Sequence, residues 1–278
     1  MSPPDRRPGP ADTLWARLAD LTPARIGLGR TGASQPTREV LRFQLAHAAA
    51  RDAIHVPLDL ERLEAEVAAL GCRTLSVRSD ATERSVYLRR PDLGRRLSPE
   101  DAARLDAEAE QGRDLVIVIG DGLSSRAVAA NAVPVLAHLK AYAAHWGLGF
   151  APVVLAQGAR VALGDEIGQR LGARLCIMLI GERPGLSAPD SLGAYLTFGP
   201  RIGATDADRN CVSNIRSGGL DVVAAAYKIA WLVRQAFALQ LSGTRLKDES
   251  DREADPEILR VEGPRYKVPG PPLRAAPQ

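Results

Sequence analysis

An α/β fold built on a parallel sheet is predicted by three observations. Short apolar runs rich in branched residues, Asp114–Gly120, Ala151–Ala156 and Leu175–Ile180, alternate with helix-forming stretches beyond residue 98. The runs are continuously apolar rather than alternating, the pattern of strands covered on both faces. The links between them are short, and strand, helix, strand, helix, strand in that spacing implies right-handed βαβ crossovers.

Taken in order, the chain opens on a Pro-rich stretch, Met1–Pro10, expected to be disordered until about Asp12, followed by a short amphipathic helix over Thr13–Asp20. Gly27, Gly29 and Gly32 then form a literal G-x-G-x-x-G, with Asp52 at the spacing of a ribose-binding acid. Only Ala24-Arg25-Ile26 precedes the first glycine, so the buried strand that a dinucleotide site needs is missing. Arg30, Pro36 and Arg38 suit an exposed docking loop better. Helices are predicted over Pro36–Asp52 and Leu58–Leu70, the second closed by Gly71. Thr74–Ser79 and Ser85–Arg89 read as two extended segments, a hairpin-sized element feeding the arginine loop Pro91–Arg96.

Ser98-Pro99-Glu100-Asp101 is a helix start, with Ser as N-cap and Pro in the first turn, and Gly112 is its expected stop. The strand Asp114–Gly120 ends in Asp121-Gly-Leu-Ser-Ser125, whose Ser124 can cap an Ala-rich helix running to about Ala144. The next strand, Ala151–Ala156, is followed by a helix over Asp165–Leu171 and by the third strand, Leu175–Ile180. Gly193–Phe198 adds a fourth. A polar loop, Thr205–Ile215, leads through Gly218-Gly219 to a final helix, Val222–Leu241, and the residues after Gly243 lack periodicity.

Composition excludes several function classes. The 278 residues carry 36 basic and 33 acidic side chains, a formal +3, too balanced for the footprint of a nucleic-acid binder. Cys72, Cys176 and Cys211 are odd in number and form no CxxC or Cys/His cluster, which indicates neither a disulfide framework nor a zinc site and fits a reducing cytosol. No apolar run approaches the roughly 20 residues that span a bilayer, and the start lacks the apolar core of a signal peptide. A chain neither secreted nor inserted in a membrane is expected.

Catalytic constellations are thin. Of the 4 histidines, His47, His55, His138 and His145, none sits on a strand-end loop of the α/β half. No nucleophile elbow and no Walker loop occurs. Gly120–Ser125 is a weak phosphate fingerprint that reads equally well as a tight turn with a serine cap. What remains is turn chemistry at strand ends. Gly181-Glu-Arg-Pro-Gly185 holds a carboxylate and a guanidinium on a stiff turn, and Asp206, Asp208, Arg209, Asn210, Ser213 and Asn214 crowd around Cys211. Ligands of open α/β sheets sit at such ends, and few acid–base groups here point to a binding domain whose hard chemistry lies elsewhere.

Together, Gly181-Glu-Arg-Pro-Gly185, Asp208-Arg-Asn-Cys-Val-Ser-Asn-Ile215 with Gly218-Gly219, Asp121-Gly-Leu-Ser124 and Pro91-Asp-Leu-Gly-Arg-Arg96 resemble the small (light) subunit of ethanolamine ammonia-lyase, from about Ala24 to Gly243. The resemblance implies an adenosylcobalamin-dependent enzyme that converts ethanolamine to acetaldehyde and ammonia by radical deamination. It implies a hetero-oligomer with a large subunit, a TIM barrel that holds the substrate and the catalytic residues, while a Rossmann-like domain of the small subunit closes over the corrin. Matched by position, the family's cobalamin contacts fall on Val161, Glu182 and Cys211. No catalytic residue and no cobalt ligand is expected from this chain, which lacks an Asp-x-His-x-x-Gly signature, and no activity is expected of it alone. The expected location is the cytoplasm; some relatives are housed in a bacterial microcompartment, and the short tail gives no basis for inferring that here.

The expected division is a disordered tail (1–12), a mainly helical N-terminal domain (13–97), a Rossmann-like cobalamin-binding domain (98–243) and a flexible tail (244–278). Two other readings stay open from the residues: a dinucleotide-dependent oxidoreductase using Gly27–Gly32 or Gly120–Ser125, and an assembly subunit that braces a barrel without touching the cofactor.

Overall fold

In the computed structural model the described residues are 10–22, 24–108, 113–252, 255, 258 and 261. Their elements are α1 (Pro10–Ala19), α2 (Thr37–His55), α3 (Leu60–Ala69), β1 (Thr74–Arg78), α4 (Arg84–Arg89), α5 (Pro99–Ala107), β2 (Leu115–Gly120), α6 (Ser125–His145), β3 (Val153–Gln157), α7 (Leu163–Arg170), β4 (Leu175–Gly181), β5 (Leu192–Phe198), β6 (Arg209–Ile215) and α8 (Val222–Leu239). Side-chain caps set several starts. Ser98 accepts the N–H of Asp101 at 3.2 Å ahead of α5, Ser124 that of Ala127 at 3.2 Å ahead of α6, and Asp221 that of Ala224 at 2.9 Å ahead of α8. The expected stop of α5 at Gly112 lies outside the described residues.

The six strands form one sheet in the order β1-β3-β2-β4-β5-β6. The expected parallel sheet holds for β1, β3, β2 and β4, whereas β5 and β6 run antiparallel. The reason is chain length: residues 182–191 and 199–208 hold no α-helix and are too short for a crossover connection. β1, from the stretch expected to be mainly helical, is the outer strand beside β3.

Two local expectations are corrected. Ser85–Arg89, read as extended, lies in helix α4, which turns Tyr87 inward until it is 1% exposed and its hydroxyl donates to the Ala159 carbonyl at 3.0 Å. Thr205–Ile215, read as a loop, contains β6. Its burial does not alternate because a bulge sets Ser213 and Asn214 against β5 between the pairs Ala194–Val212 and Leu192–Ile215. Asn214 there takes a left-handed φ of 59°.

The core fills both faces of the sheet. On one face Ile117, Leu155 and Leu179 pack under α3, α6 and α8. On the other Val118, Val154 and Met178 meet α5 and α7. Val222–Leu239 is the one helix, among the described residues, long and apolar enough to cross a membrane, and Tyr227, Ile229 and Leu232 bury it in this core.

The segment after Gly243, expected to be loose, packs on α8 where it is described: Leu246 and Ile258 are buried, and Lys228 pairs with Asp251 at 2.6 Å. The expectations for residues 1–9 and 262–278 fall outside the described residues.

The turn after β2 is tightly closed. Gly122 has φ +58°, and a Cβ there would strike the backbone of Gly181; a Cβ on Gly181 would strike the carbonyl of Ser124. Leu123 donates its N–H to the Gly181 carbonyl at 2.9 Å. Gly122→Ala combines left-handed strain with overpacking and is expected to cost about 2–4 kcal/mol, read as a lower urea midpoint with unchanged m-value.

Candidate functional site

Both glycine motifs lose their phosphate-binding reading in the structure. No strand feeds Gly27 among the described residues, and a Cβ on it would lie 2.7 Å from Trp15, so the loop packs on α1. The turn at Gly122 has a true strand–turn–helix setting, but β4 fills its inner side, and the Ser124 hydroxyl at the start of α6 donates to the Pro189 carbonyl at 2.7 Å. The first lacks the strand that would aim it at a pyrophosphate, and the second is closed by its own contacts.

The loop after β3, the start of α7 and the strands β5 and β6 border more open ground. A cavity of about 820 Å³ lies there, bordered by Arg95, Arg96, Arg160, Val161, Tyr195 and Arg209 among others. Val161 is half-buried in the loop between β3 and α7. Glu182 follows β4 directly, with its N–H on the Ser191 carbonyl at 3.0 Å. Its carboxylate accepts the Ser191 hydroxyl and the N–H of Asn214 at 3.3 Å, both through Oε2. Cys211, mid-β6, stands opposite Tyr195 of β5.

Of the three predicted residues only Val161 borders the cavity itself; Glu182 and Cys211 flank Tyr195, which also borders it. Sequence reading missed Tyr195. Its signal was the period of two in Gly193-Ala-Tyr-Leu-Thr-Phe198: Ala194 and Leu196 enter the core under α6 and α8, leaving Tyr195 for the opposite face.

Electrostatics keep this surface quiet at neutral pH. Cys211 is an exposed residue, yet desolvation of its thiol pushes the pKa up, only partly offset by its hydrogen bond with Tyr195. Burial, then Cys211, raises the phenol of Tyr195 as well. Thiol and phenol therefore keep their protons, and the reactive thiolate is disfavoured.

The cavity wall is charge-balanced. Arg209 and Asp165 are both 4% exposed and pair directly, Nε to Oδ2 at 3.0 Å, while Arg209 Nη1 reaches the exposed Asp206 at 2.7 Å. Arg160, which borders this cavity, and Arg84, which borders the neighbouring one, both lie over the Tyr87 ring, 4.2 and 4.7 Å from its centroid, and the N–H of Arg160 donates to the Gly94 carbonyl at 2.8 Å. Burial pushes Tyr87 up to about 12, consistent with a packing role. Arg90 beside Asp92 holds that exposed carboxyl down at about 2.

A second, smaller cavity of about 290 Å³ lies beside the ends of β1, β2 and β3, lined by His55, Arg84, Asp121 and Gly158 among others. Asp121 accepts the N–H groups of Gly122, Gly158 and Ala159 at 2.8, 3.0 and 2.9 Å, pinning the ends of β2 and β3 together. Burial raises its pKa in spite of these donors. Among the described residues no three His, Cys, Asp or Glu side chains converge to hold a metal ion.

Comparisons with known proteins identify the family. The family model described as ethanolamine ammonia-lyase light chain matches residues 12–247. The chain belongs to this family. It is 53% identical over 255 residues to the ethanolamine ammonia-lyase small subunit of Xanthomonas campestris pv. campestris strain B100, covering 91% of this chain and 93% of that one. The small subunit of Rhodopseudomonas palustris strain BisA53 is 53% identical over 258 residues, 93% of this chain and 99% of its own length. That of Azotobacter vinelandii is 51% identical over 262 residues, 93% and 94% of the two chains. The matched span of this light chain includes every element from α2 to α8, and with them Val161, Glu182, Tyr195 and Cys211.

Proposed function

We propose that this light chain is the small subunit of an adenosylcobalamin-dependent ethanolamine ammonia-lyase, which converts ethanolamine to acetaldehyde and ammonia. It works only with a large subunit, a TIM barrel that carries substrate and catalytic groups. Val161, Glu182 and Cys211 border the cobalamin from the small-subunit side.

The observation that carries the reading is an open cavity bordered by both Val161 and Tyr195, with Glu182 and Cys211 flanking the tyrosine and no proton-transfer pair among them. The donor set fits the group. A corrin is broad and flat, with an amide-bearing periphery; Val161 and the Tyr195 ring offer apolar surface, and Glu182 Oε1 accepts no hydrogen bond among the described residues. That oxygen is placed to accept an amide N–H. Bound, the cofactor supplies a radical through homolysis of its cobalt–carbon bond. This chain's residues bind its periphery, fix its orientation and shield one side from water, while the neutral thiol and phenol present no competing nucleophile.

A partner is supported by apolar surface left in water. α2 buries only Glu39, Ala50 and Ala53, and its Leu41, Phe43 and Leu45 are exposed. Arg30, Arg95 and Arg96 are exposed too, Arg96 reaching Asp80 at 3.4 Å, and they form the charged part of the proposed subunit contact. Arg30→Glu combined with Arg95→Glu is expected to weaken association with the large subunit while the isolated chain keeps its circular dichroism. An unchanged elution profile of the complex counts against that contact.

The deciding experiment is co-expression with the large chain followed by an adenosylcobalamin-dependent ethanolamine deamination assay. Turnover and corrin absorbance are expected in the complex and absent from either chain alone. Turnover by this chain unaided, or nicotinamide binding by it, would overturn the reading.

A further inference from the structure

We propose that Tyr195 is a further cofactor-binding and positioning residue of this chain: its ring holds Glu182 on one side, across Gly193, and Cys211 on the other, and faces the ligand itself. The inference rests on the cobalamin reading above and extends it to a residue outside the predicted set.

The strand geometry requires this junction. Tyr195 pairs with Cys211 on β6 and with Met178 on β4, so its side chain shares one sheet face with both neighbours. The phenol donates to the Cys211 sulfur; burial first, and then Cys211, raise the tyrosine pKa, whereas for the cysteine the same bond lowers the pKa against a larger upward push from burial.

Two residues earlier on the same face, Gly193 leaves a gap. A Cβ there would stand 2.9 Å from Glu182 Oε1 and 3.1 Å from Tyr195 Cε2. Carboxylate and ring edge therefore both border the space above this glycine. The positive edge of an aromatic ring favours a carboxylate beside it.

Glu182 is thus held from two directions. Its Oε2 is fixed by the Ser191 hydroxyl and by the N–H of Asn214, which the bulge in β6 turns toward it. Its Oε1 lies over Gly193, on the side of the tyrosine ring. A carboxylate held this way loses little entropy when a ligand N–H arrives, and a flat aromatic wall on the cavity that Val161 also borders matches a flat ligand. Ser191, Gly193 and Tyr195 follow one another at the strand period on this face, so the end of β5 acts as the positioning rail for Glu182.

The test uses the complex with the large subunit and absorbance titration with cyanocobalamin, alongside the thermal midpoint of each complex. Tyr195→Phe keeps the ring and is expected to weaken binding about five-fold, the loss of one hydrogen bond. Tyr195→Ala is expected to weaken it at least ~10-fold, and Gly193→Ala, which removes no polar group, by a similar factor. The double variant Glu182→Ala/Tyr195→Ala is expected to lose clearly less affinity than the product of the two single losses, because Tyr195 acts in part through Glu182. Independent, multiplicative losses would overturn the positioning role. Wild-type binding by all Tyr195 and Gly193 variants, with Glu182→Ala impaired, would overturn the proposal and leave the cobalamin reading standing. If the wild-type complex binds no cyanocobalamin, both fall together.

Discussion

Replacing Arg209 by methionine is expected to destabilise the chain by about 3–5 kcal/mol, the cost of stripping one partner from a buried ion pair. Arg209 opens β6, and its guanidinium is 4% exposed, bonded to Asp165, Asp206 and the carbonyl of Ala204. Methionine fills much of the volume but leaves the Asp165 carboxylate, also 4% exposed, without its cation. Desolvation of that charge is the destabilising term; the lost bond to Asp206 matters little, since Asp206 is fully in water. Urea unfolding of the isolated chain measures the difference. The double variant Asp165→Leu/Arg209→Met removes both charges and is expected to recover most of the stability. A single variant within ~1 kcal/mol of the natural chain would show that water reaches the carboxylate. Against a typical total of about 5–15 kcal/mol, the expected loss brings the fold close to failure.

Glu182→Ala is expected to weaken cobalamin binding by the complex about 10- to 100-fold, the worth of a hydrogen bond to a charged acceptor. The fold should survive. Glu182 is half-buried, and the groups it releases, the Ser191 hydroxyl and the Asn214 N–H, stand at a strand end with partial access to water. The kinetic signature separates wall from catalyst: the KM for adenosylcobalamin rises while kcat at saturating cofactor stays near that of the natural complex. A large fall in kcat with unchanged cofactor affinity would assign Glu182 a part in the reacting centre instead. Glu182→Gln keeps an acceptor oxygen and is expected to lie between the two.

The strand β4 and the turn after it were legible because their signals are local. Six consecutive apolar residues, Leu175–Ile180, allow a buried strand, and Gly-Glu-Arg-Pro-Gly allows only a turn. The surroundings of Glu182 were not legible. Its hydroxyl partner lies nine positions on and its backbone donor 32 positions on, in a strand that the sequence presents as a polar loop. A bulge there breaks the alternation by which a strand is recognised, and the same bulge turns the Asn214 N–H toward the carboxylate. Residues 84–89 show the same limit at short range. Ser-Val-Tyr-Leu-Arg satisfies a strand or a helix, and burial of Tyr87, with two arginines against its ring, selects the helix.

By itself, the sequence determined the strand–helix alternation of β2 to β4, the caps at Ser98 and Ser124, and membership of the light-chain family, because periodicity, capping and motif are written in neighbouring residues. Only the tertiary structure decided that β5 and β6 turn antiparallel, that the segment after Gly243 packs on α8, and that Tyr195 stands between Glu182 and Cys211. Those outcomes depend on which strands pair and in what register. Pairing energy comes from residues far apart in the chain, and no local pattern encodes it.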